Sequence, residues 1–218
     1  MHTANGPTAA ALTTLGTVDI GMARGNVFSP CKLRTLQLDP PALLKTRLRE
    51  IGKVSAETFA QSLIEGLQQA DVALVAGLPD GLLAPAIARL EALERPRYVA
   101  CAREEECIGV AAGAIMAGQR AAVLCQNAGF LNSIGAFATL AVRYRLPMVC
   151  IVANRGGLGD AKPYDIEKFE AFSRAAPQVA YVHPVTFAQF SPSVVVDAFA
   201  WAKAADRPMI LSIERGTR

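Results

Sequence analysis

Short apolar runs alternate with segments of helical periodicity from Val54 to Ile213, and this alternation most constrains the fold. The apolar runs have the length of strands, and hydrophobic residues recur at helical spacing between them. Successive strands separated by helices pair in parallel, with right-handed crossovers that cover both faces of the sheet. We therefore predict a doubly wound α/β fold with a six-stranded, mainly parallel sheet and helices on both faces. Its strands are predicted at 71–77, 98–101, 121–125, 147–153, 179–182 and 209–213.

The first fifty residues show no sustained period and contain several glycines and prolines. We predict an irregular N-terminal arm over residues 1–50 and a folded domain over 51–218. The arm is either draped over a partner subunit or poorly ordered, and the sequence leaves both open. Ser55 is the predicted N-cap of the first helix, with Val54 and Phe59 as a hydrophobic staple around it.

Composition narrows the class of protein. Hydrophobic residues make up 52% of the chain and charged residues 19%, so much of the chain must be buried, part of it at a subunit interface. The net charge of +3, with no cluster of basic and aromatic residues, argues against a nucleic-acid partner. No apolar stretch approaches the roughly 20 residues of a membrane span, and residues 1–16 lack the basic start of a signal peptide.

The five cysteines include no C-x-x-C pair, and only His2 and His183 could join them in a metal site. Cysteines in apolar runs are typically reduced, buried thiols. We therefore expect no metal site in this chain and a cytoplasmic location.

Four loops follow the carboxyl ends of predicted strands, where ligands bind in parallel sheets: 77–81, 102–105, 126–132 and 154–164. In the first loop, Asp80 is either the cap of the next helix or an active-site acid. In the fourth, Arg155 is a candidate for an anionic substrate group or a partner carboxylate, although an exposed arginine is often merely solvated. This loop is neither a dinucleotide fingerprint nor a phosphate-binding loop.

The second loop opens a helix with three acids, Glu104, Glu105 and Glu106. The helix dipole favours acids in a first turn, but neighbouring residues on a helix point in different directions, so one acid could face inward. The helix that follows is rich in Gly and Ala, which suits close approach of a backbone, a cofactor or a partner. In the third loop, the amides between Gln126 and Asn132 could bind a polar ligand, or Asn132 could cap a helix.

Taken in order, the four loops resemble the pyrimidine-binding domain of thiamine-diphosphate-dependent decarboxylases, with sulfopyruvate and phosphonopyruvate decarboxylases as the nearest types. The resemblance covers roughly residues 54–215. The stretches that carry it are Gly77-Leu-Pro-Asp80, Arg103-Glu104 through Ala111-Ala112-Gly113, Gln126-Asn-Ala-Gly-Phe-Leu-Asn132, and Pro147 through Arg155-Gly156 to Gly159.

The resemblance implies that Glu104, nine residues before Gly113, hydrogen-bonds N1′ of the aminopyrimidine. The cofactor's exocyclic nitrogen then becomes basic enough to deprotonate the thiazolium, and the ring is the electron sink when carbon dioxide leaves. A carboxyl group that shares a proton needs a water-poor setting. The resemblance also implies that Asp80 handles a proton after decarboxylation. It assigns cofactor binding to Glu104, Gln126, Asn127 and Gly129, and substrate binding to Asp80, Asn127, Asn132 and Arg155.

Thiamine-diphosphate enzymes hold the diphosphate through Mg²⁺ with a Gly-Asp-Gly motif, and the single Gly-Asp here is followed by Ala161. The resemblance therefore implies a beta subunit that carries the diphosphate and Mg²⁺, in an α₂β₂ or larger assembly. The predicted enzyme is a carboxy-lyase that acts on a small acidic 2-oxo acid only with that partner.

Three positions depart from the family pattern: Ala128 replaces a serine, Leu131 a glycine, and Tyr164 stands where the family carries a histidine. These departures leave the substrate open. They also leave three alternatives: a carboligase or lyase of the same cofactor class with a bulkier substrate, a regulatory homologue without turnover, and an unrelated nucleotide-binding α/β protein.

Overall fold

The computed structural model describes residues 42–160 and 162–216. Helices and strands alternate throughout this part of the chain. The helices are α1 (Ala42–Gln69), α2 (Ala84–Glu91), α3 (Glu104–Met116), α4 (Asn127–Phe137), α5 (Ile166–Ala175) and α6 (Pro192–Ala205). The strands are β1 (Leu74–Gly77), β2 (Arg97–Ala100), β3 (Ala121–Gln126), β4 (Val149–Ala153), β5 (Tyr181–Thr186) and β6 (Met209–Glu214).

All six strands pair in parallel, in the order β2-β1-β3-β4-β6-β5, so the predicted fold class is confirmed. The central strands β3 and β4 are almost entirely buried, as their continuous apolar runs require. Leu124 pairs with Ile151, and Ile151 pairs with Leu211 on the far side. The three side chains therefore form one apolar row across the middle of the sheet.

Two layers of helices cover the sheet because alternate strand residues point to opposite faces. Helices α1, α2 and α6 pack on the face that carries Leu124 and Ile151. Helices α3, α4 and α5 pack on the face that carries Val123 and Cys125. Burial of each such Leu, Ile or Val side chain contributes roughly 1.5–3 kcal/mol to folding.

The layers create a switch point between the neighbouring strands β1 and β3. The helix after β1, α2, lies on one face, whereas the helix after β3, α4, lies on the other. The loops that leave these two strands therefore diverge and open a crevice at the carboxyl edge of the sheet, the place where open parallel sheets bind ligands.

Several predicted boundaries were wrong. Ser55 lies inside α1, which begins at Ala42, so the predicted N-cap is wrong. The segment before Ser55 is rich in Leu, Lys, Arg and Glu, which are strong helix formers. Residues 42–50 of the predicted arm are therefore helical, and the rest of that arm lies outside the described residues. Strand β5 spans Tyr181–Thr186 rather than 179–182.

Helix α4 begins at Asn127, within the predicted loop 126–132 and five residues before Asn132. The extended backbone of Gln126 (φ −89°, ψ 165°) makes that residue the N-cap. The sequence 126–132 is therefore a helix start rather than a loop, and the alternative that Asn132 caps a helix is also wrong. Gly129, three residues after the cap, suggested a loop. This position is a glycine because another segment of the chain packs against it.

Tyr98 on β2 is expected to reduce stability through its hydroxyl group. That oxygen is buried without a hydrogen-bond partner among the described residues, and burial raises the pKa of Tyr98 to about 12. Tyr98→Phe should raise the free energy of unfolding by about 1 kcal/mol, because an unsatisfied buried group is removed. Urea unfolding tests this, with the exposed Tyr181→Phe as the matched control. A less stable Tyr98→Phe variant would show that the hydroxyl has a partner.

Candidate active site

The carboxylate of Glu104 lies directly on the backbone of Gly129. Glu104 is the first residue of α3, and Gly129 is in the first turn of the neighbouring helix α4. A Cβ atom on Gly129 would overlap Cγ, Cδ and Oε1 of Glu104, all well inside 3.0 Å. Gly129 therefore forms a bed that admits the carboxylate, and this close approach is why the position is a glycine.

The three acids at the start of α3 have different surroundings. Glu105 pairs with Arg103 at 3.4 Å, and Glu106 accepts a hydrogen bond from the backbone N–H of Ala102 at 2.9 Å. Both are local contacts that fix the helix start. Glu104 is half-buried and makes neither an ion pair nor a hydrogen bond with the residues that the structure describes. Of the three, Glu104 alone therefore has a carboxylate that no described residue engages by a hydrogen bond or an ion pair.

Cys125, near the end of β3, is a buried thiol that lies close to both Glu104 and Asp80. Burial raises the pKa of its thiol well above the ordinary value, and the neighbouring Cys150, Glu104 and Asp80 raise it further. Both carboxylates are thus close enough to act electrostatically on the same buried sulfur. The thiol therefore stays neutral and adds a buried apolar group near both acids.

Asp80 and Arg155 meet across the crevice. Arg155 Nη1 lies 3.1 Å from Asp80 Oδ2, and the other oxygen of Asp80 accepts the backbone N–H of Leu82 at 2.8 Å. Arg155 also lies 3.6 Å, Nε to Oδ2, from Asp165, whose Oδ1 accepts from Lys168 at 3.0 Å. The side chains of Asp80 and Asp165 are only 5% and 4% exposed. Both oxygens of Asp80 are therefore occupied, which favours a positioning role over proton transfer.

A second polar network runs from α4 to the far side of β4. Asn127 is fully buried, and its Nδ2 donates to Asn154 Oδ1 at 3.1 Å and to the Arg155 carbonyl at 2.8 Å. Asn154 Nδ2 in turn donates to Ser212 at 3.0 Å and to Glu214 at 3.3 Å. The Asn127 side chain is thus engaged inside the protein, and it fixes the start of α4 to the sheet.

The remaining predicted site residues lie on the rim. Gln126 is half-buried at the N-cap of α4, while Asn132 is exposed on the same helix. The structure brings together Glu104 with Gly129 and Asp80 with Arg155. Sequence reasoning missed Asn154 and Asp165 as partners within the site. Asn154 lies in the fourth predicted loop and Asp165 directly follows that loop, but no local sequence pattern indicates which distant residues they contact.

Helices α3 and α4 present a face of small residues. A Cβ atom added to Gly109, Gly113 or Gly135 would meet nothing within 4 Å. Val110, Ala114 and Leu131 beside them are only partly buried. The described part of the chain leaves these glycine positions uncovered.

A cavity of about 350 Å³ lies at the opposite, amino edge of the sheet, bordered by Asp71, Arg95, Arg120 and Lys203. Helices α1, α3 and α6 end at this edge, and cations there complement the helix dipoles. Arg120 accordingly donates to the carbonyl of Ala70 at 2.5 Å. The cations thus have a structural explanation, and the cavity is remote from the crevice.

The described residues contain neither a cluster of metal-binding side chains nor a membrane-spanning helix. No group of three or more His, Cys, Asp or Glu side chains within 42–160 and 162–216 could hold a metal ion. Over the same ranges, no helix combines the length and apolar character needed to cross a bilayer. Cys107, Cys125 and Cys150 are buried free thiols, and Cys101 is partly buried.

Residues 57–162 match the family described as thiamine pyrophosphate enzyme, N-terminal TPP binding domain. These residues are homologous to the N-terminal pyrimidine-binding domain of the thiamine pyrophosphate enzymes. The match includes Glu104, Gly129 and Arg155, so the crevice lies within the family's domain.

Two curated relatives agree with this family. The chain is 35% identical over 101 residues to the sulfopyruvate decarboxylase subunit alpha of Methanothermobacter thermautotrophicus, which is 46% of this chain and 61% of that subunit. It is 35% identical over 101 residues to the phosphonopyruvate decarboxylase of Streptomyces viridochromogenes, which is 46% of this chain and 25% of that enzyme. The aligned part thus spans about three fifths of the first relative and a quarter of the second.

Solved structures support the fold of this thiamine pyrophosphate domain. The benzoylformate decarboxylase of Polynucleobacter necessarius superposes with a TM-score of 0.56 at 19% identity, over 72% of this chain and 30% of that chain. At this identity the likeness concerns the fold alone.

The positions that depart from the family pattern differ in their surroundings. Leu131 packs against the core beneath α4, and Ala128 is half-buried at the start of that helix. The Tyr164 side chain is 63% exposed, with the ammonium groups of Lys162 and Lys168 at 5.8 and 5.5 Å from its ring centre. Tyr164 thus presents an exposed aromatic ring with two cations close to it.

Proposed function

We propose that this chain is the pyrimidine-binding subunit of a thiamine-diphosphate-dependent decarboxylase that acts on a small acidic 2-oxo acid. The observation that carries the proposal is the Glu104 carboxylate, which packs on Gly129 at the carboxyl edge of the sheet without an ion pair or hydrogen bond to a described residue. The names of the relatives, sulfopyruvate and phosphonopyruvate decarboxylase, support this reaction class.

The residues present fit the pyrimidine end of the cofactor. Glu104 offers a half-buried carboxyl group to hold a proton at N1′, and the Gly129 backbone leaves room for it. Gln126, the half-buried N-cap residue of α4, is a candidate for a neutral hydrogen bond to the cofactor. When bound, thiamine diphosphate supplies the electron sink for loss of carbon dioxide.

The chain's other contributions are orientation and exclusion of water. Asn127 anchors the first turn of α4, so the Gly129 bed stays fixed relative to β4. The buried thiols of Cys107 and Cys125 place apolar surface behind the Glu104 carboxylate, and burial raises the pKa of both. A proton shared by Glu104 is thereby kept from bulk water on one side. Asn132, exposed on α4, is left as a candidate for substrate contact.

A partner subunit is part of the proposal. The face of α3 and α4 formed by Gly109, Gly113 and Gly135 is open in the described chain. A relative described as a subunit alpha supports a second chain. We propose that a beta subunit packs on this face and binds the diphosphate through Mg²⁺, in an α₂β₂ or larger assembly.

Coexpression tests the proposal. The chain is produced together with a candidate partner that carries a Gly-Asp-Gly motif, and carbon dioxide release is measured with thiamine diphosphate and Mg²⁺. We expect release from sulfopyruvate or phosphonopyruvate and much less from pyruvate. Ligated products in place of carbon dioxide release would indicate the carboligase. Cofactor binding without turnover on any 2-oxo acid would indicate the regulatory homologue, and a chain that binds neither partner nor cofactor would overturn the proposal.

A further inference from the structure

We infer that Arg155 is a positioning residue that clamps two loops of the site, rather than a binding group for the substrate's acid. The inference rests on the proposed function, because it assigns Arg155 a role in that reaction. Arg155 follows β4, and its guanidinium lies between Asp80, in the loop after β1, and Asp165, just before α5. One cation thus joins two segments that the chain separates by more than eighty residues.

Because the side chains of this cluster are buried, each carboxylate needs a cation or hydrogen bonds to compensate its charge. The side chains of Asp80 and Asp165 are 5% and 4% exposed, and that of Arg155 is 15% exposed. A buried carboxylate is strongly unfavourable unless a cation or hydrogen bonds compensate it. Asp80 is compensated by Arg155 and by the Leu82 N–H, and Asp165 by Lys168 and Arg155. Loss of Arg155 would leave two buried acids short of a partner at once.

The charges of the cluster cancel. Arg155 and Lys168 contribute two positive charges, and Asp80 and Asp165 contribute two negative charges. The guanidinium is therefore already neutralised by carboxylates that would each lose a partner by leaving it: Asp80 would keep only the Leu82 N–H, and Asp165 only Lys168. A substrate carboxylate or sulfonate would have to displace one of them, so the geometry favours a structural use of this cation.

Arg155 is also connected to the helix turn that contains Gly129, on which the Glu104 carboxylate packs. The carbonyl of Arg155 accepts a hydrogen bond from Asn127 Nδ2 at 2.8 Å, and Asn127 is two residues before Gly129. On the other side, Gly156 lies so close to Asp165 that a Cβ atom would overlap its carbonyl. The backbone before and after Arg155 is therefore fixed as well. A disturbed clamp should shift the loop after β1 and the start of α4 together.

The test compares Arg155→Lys, Arg155→Gln, Asp165→Asn and the Arg155→Gln/Asp165→Asn double variant in the complete complex. If Arg155 is a clamp, Asp165→Asn should lower kcat about tenfold, the cost of a small misplacement of catalytic groups, while KM changes less than about twofold. Arg155→Gln should act in the same direction, and the double variant should fall well short of the product of the two losses. Arg155→Lys should recover part of kcat, since a lysine keeps the charge but not the two-sided geometry.

Glu167→Gln is the matched control, since Glu167 is an exposed acid two residues from Asp165. It should leave kcat and KM unchanged. A substrate-binding Arg155 gives the opposite pattern: Arg155→Gln raises KM for acidic substrates but not for pyruvate, and Asp165→Asn has no effect. That pattern would overturn the clamp.

Hydrogen exchange provides a measurement that does not need turnover. The Leu82 N–H donates to Asp80 Oδ1, so Asp165→Asn and Arg155→Gln should speed exchange of that amide in the purified chain, whereas Glu167→Gln should not. Unchanged exchange at Leu82 in both variants would overturn the clamp even in an active enzyme. A complex without activity on any 2-oxo acid, combined with faster exchange at Leu82, would instead remove the proposed function and leave the clamp in place.

Discussion

Glu104→Gln should lower the rate of carbon dioxide release by roughly a thousandfold in the complete complex, within the range that positioned acid–base groups contribute. A glutamine side chain keeps the shape of glutamate, so it still fits on the Gly129 backbone. It cannot hold or release a proton at N1′, however. Because the carboxylate makes no hydrogen bond or ion pair with described residues, the substitution breaks no contact of the fold. The measurement is kcat, together with the amount of partner that copurifies with the variant.

Two neighbouring acids provide controls for this prediction. Glu105→Gln and Glu106→Gln remove the same charge within the same helical turn, but these side chains contact Arg103 and the Ala102 N–H. Both variants should keep kcat within a few fold and lose at most about 1 kcal/mol of stability. Equal losses for all three variants would indicate a general effect of negative charge at the start of α3. Full activity of Glu104→Gln would show that another group does the chemistry.

The alternation of strands and helices was sufficient to predict the sheet, because parallel strands buried on both faces need continuous apolar runs. Val149–Ala153 and Ala121–Gln126 are such runs, and both are central strands. The edge strand β5 was harder to predict, whereas the other edge strand, β2, was predicted within one residue at each end. Half of β5 is exposed, and its sequence Tyr-Val-His-Pro-Val-Thr mixes apolar and polar residues, so its predicted position was displaced by two to four residues.

The sequence was sufficient to predict which loops form the candidate site, but not which of their side chains contact one another. That ligands bind beyond the carboxyl ends of the strands follows from topology, and this placed Asp80, Glu104, Gln126 and Arg155 at one edge. Which of them touch depends on side-chain packing between segments far apart in the chain. Asp165 lies 85 residues after Asp80 in the sequence, and no local pattern indicates that Arg155 joins them.

Gly129→Ala is expected to have the second-largest effect on catalysis, because its Cβ atom would occupy the space of the Glu104 carboxylate. The carboxyl group must move by about an ångström or more, and a displacement of that size at a reacting centre costs on the order of a hundredfold in rate. The helix itself should tolerate the change, since alanine is the better helix former. The expected result is therefore a low kcat in a folded chain, measured by carbon dioxide release and by urea unfolding.

Gly135→Ala separates this steric effect from helix propensity, because Gly135 is on the same helix and its Cβ would meet nothing within 4 Å. It should stabilise the isolated chain by up to about 1 kcal/mol. The clash at Gly129 depends on the partner side chain, so Gly129→Ala should destabilise the natural chain but not a Glu104→Ala background, where the carboxylate is gone. If the destabilisation is equal in both backgrounds, the Cβ meets something other than Glu104. Gly129 would then be required by a different neighbouring residue. The proposal that Glu104 shares a proton with the cofactor would no longer be supported by the packing of its carboxylate on Gly129.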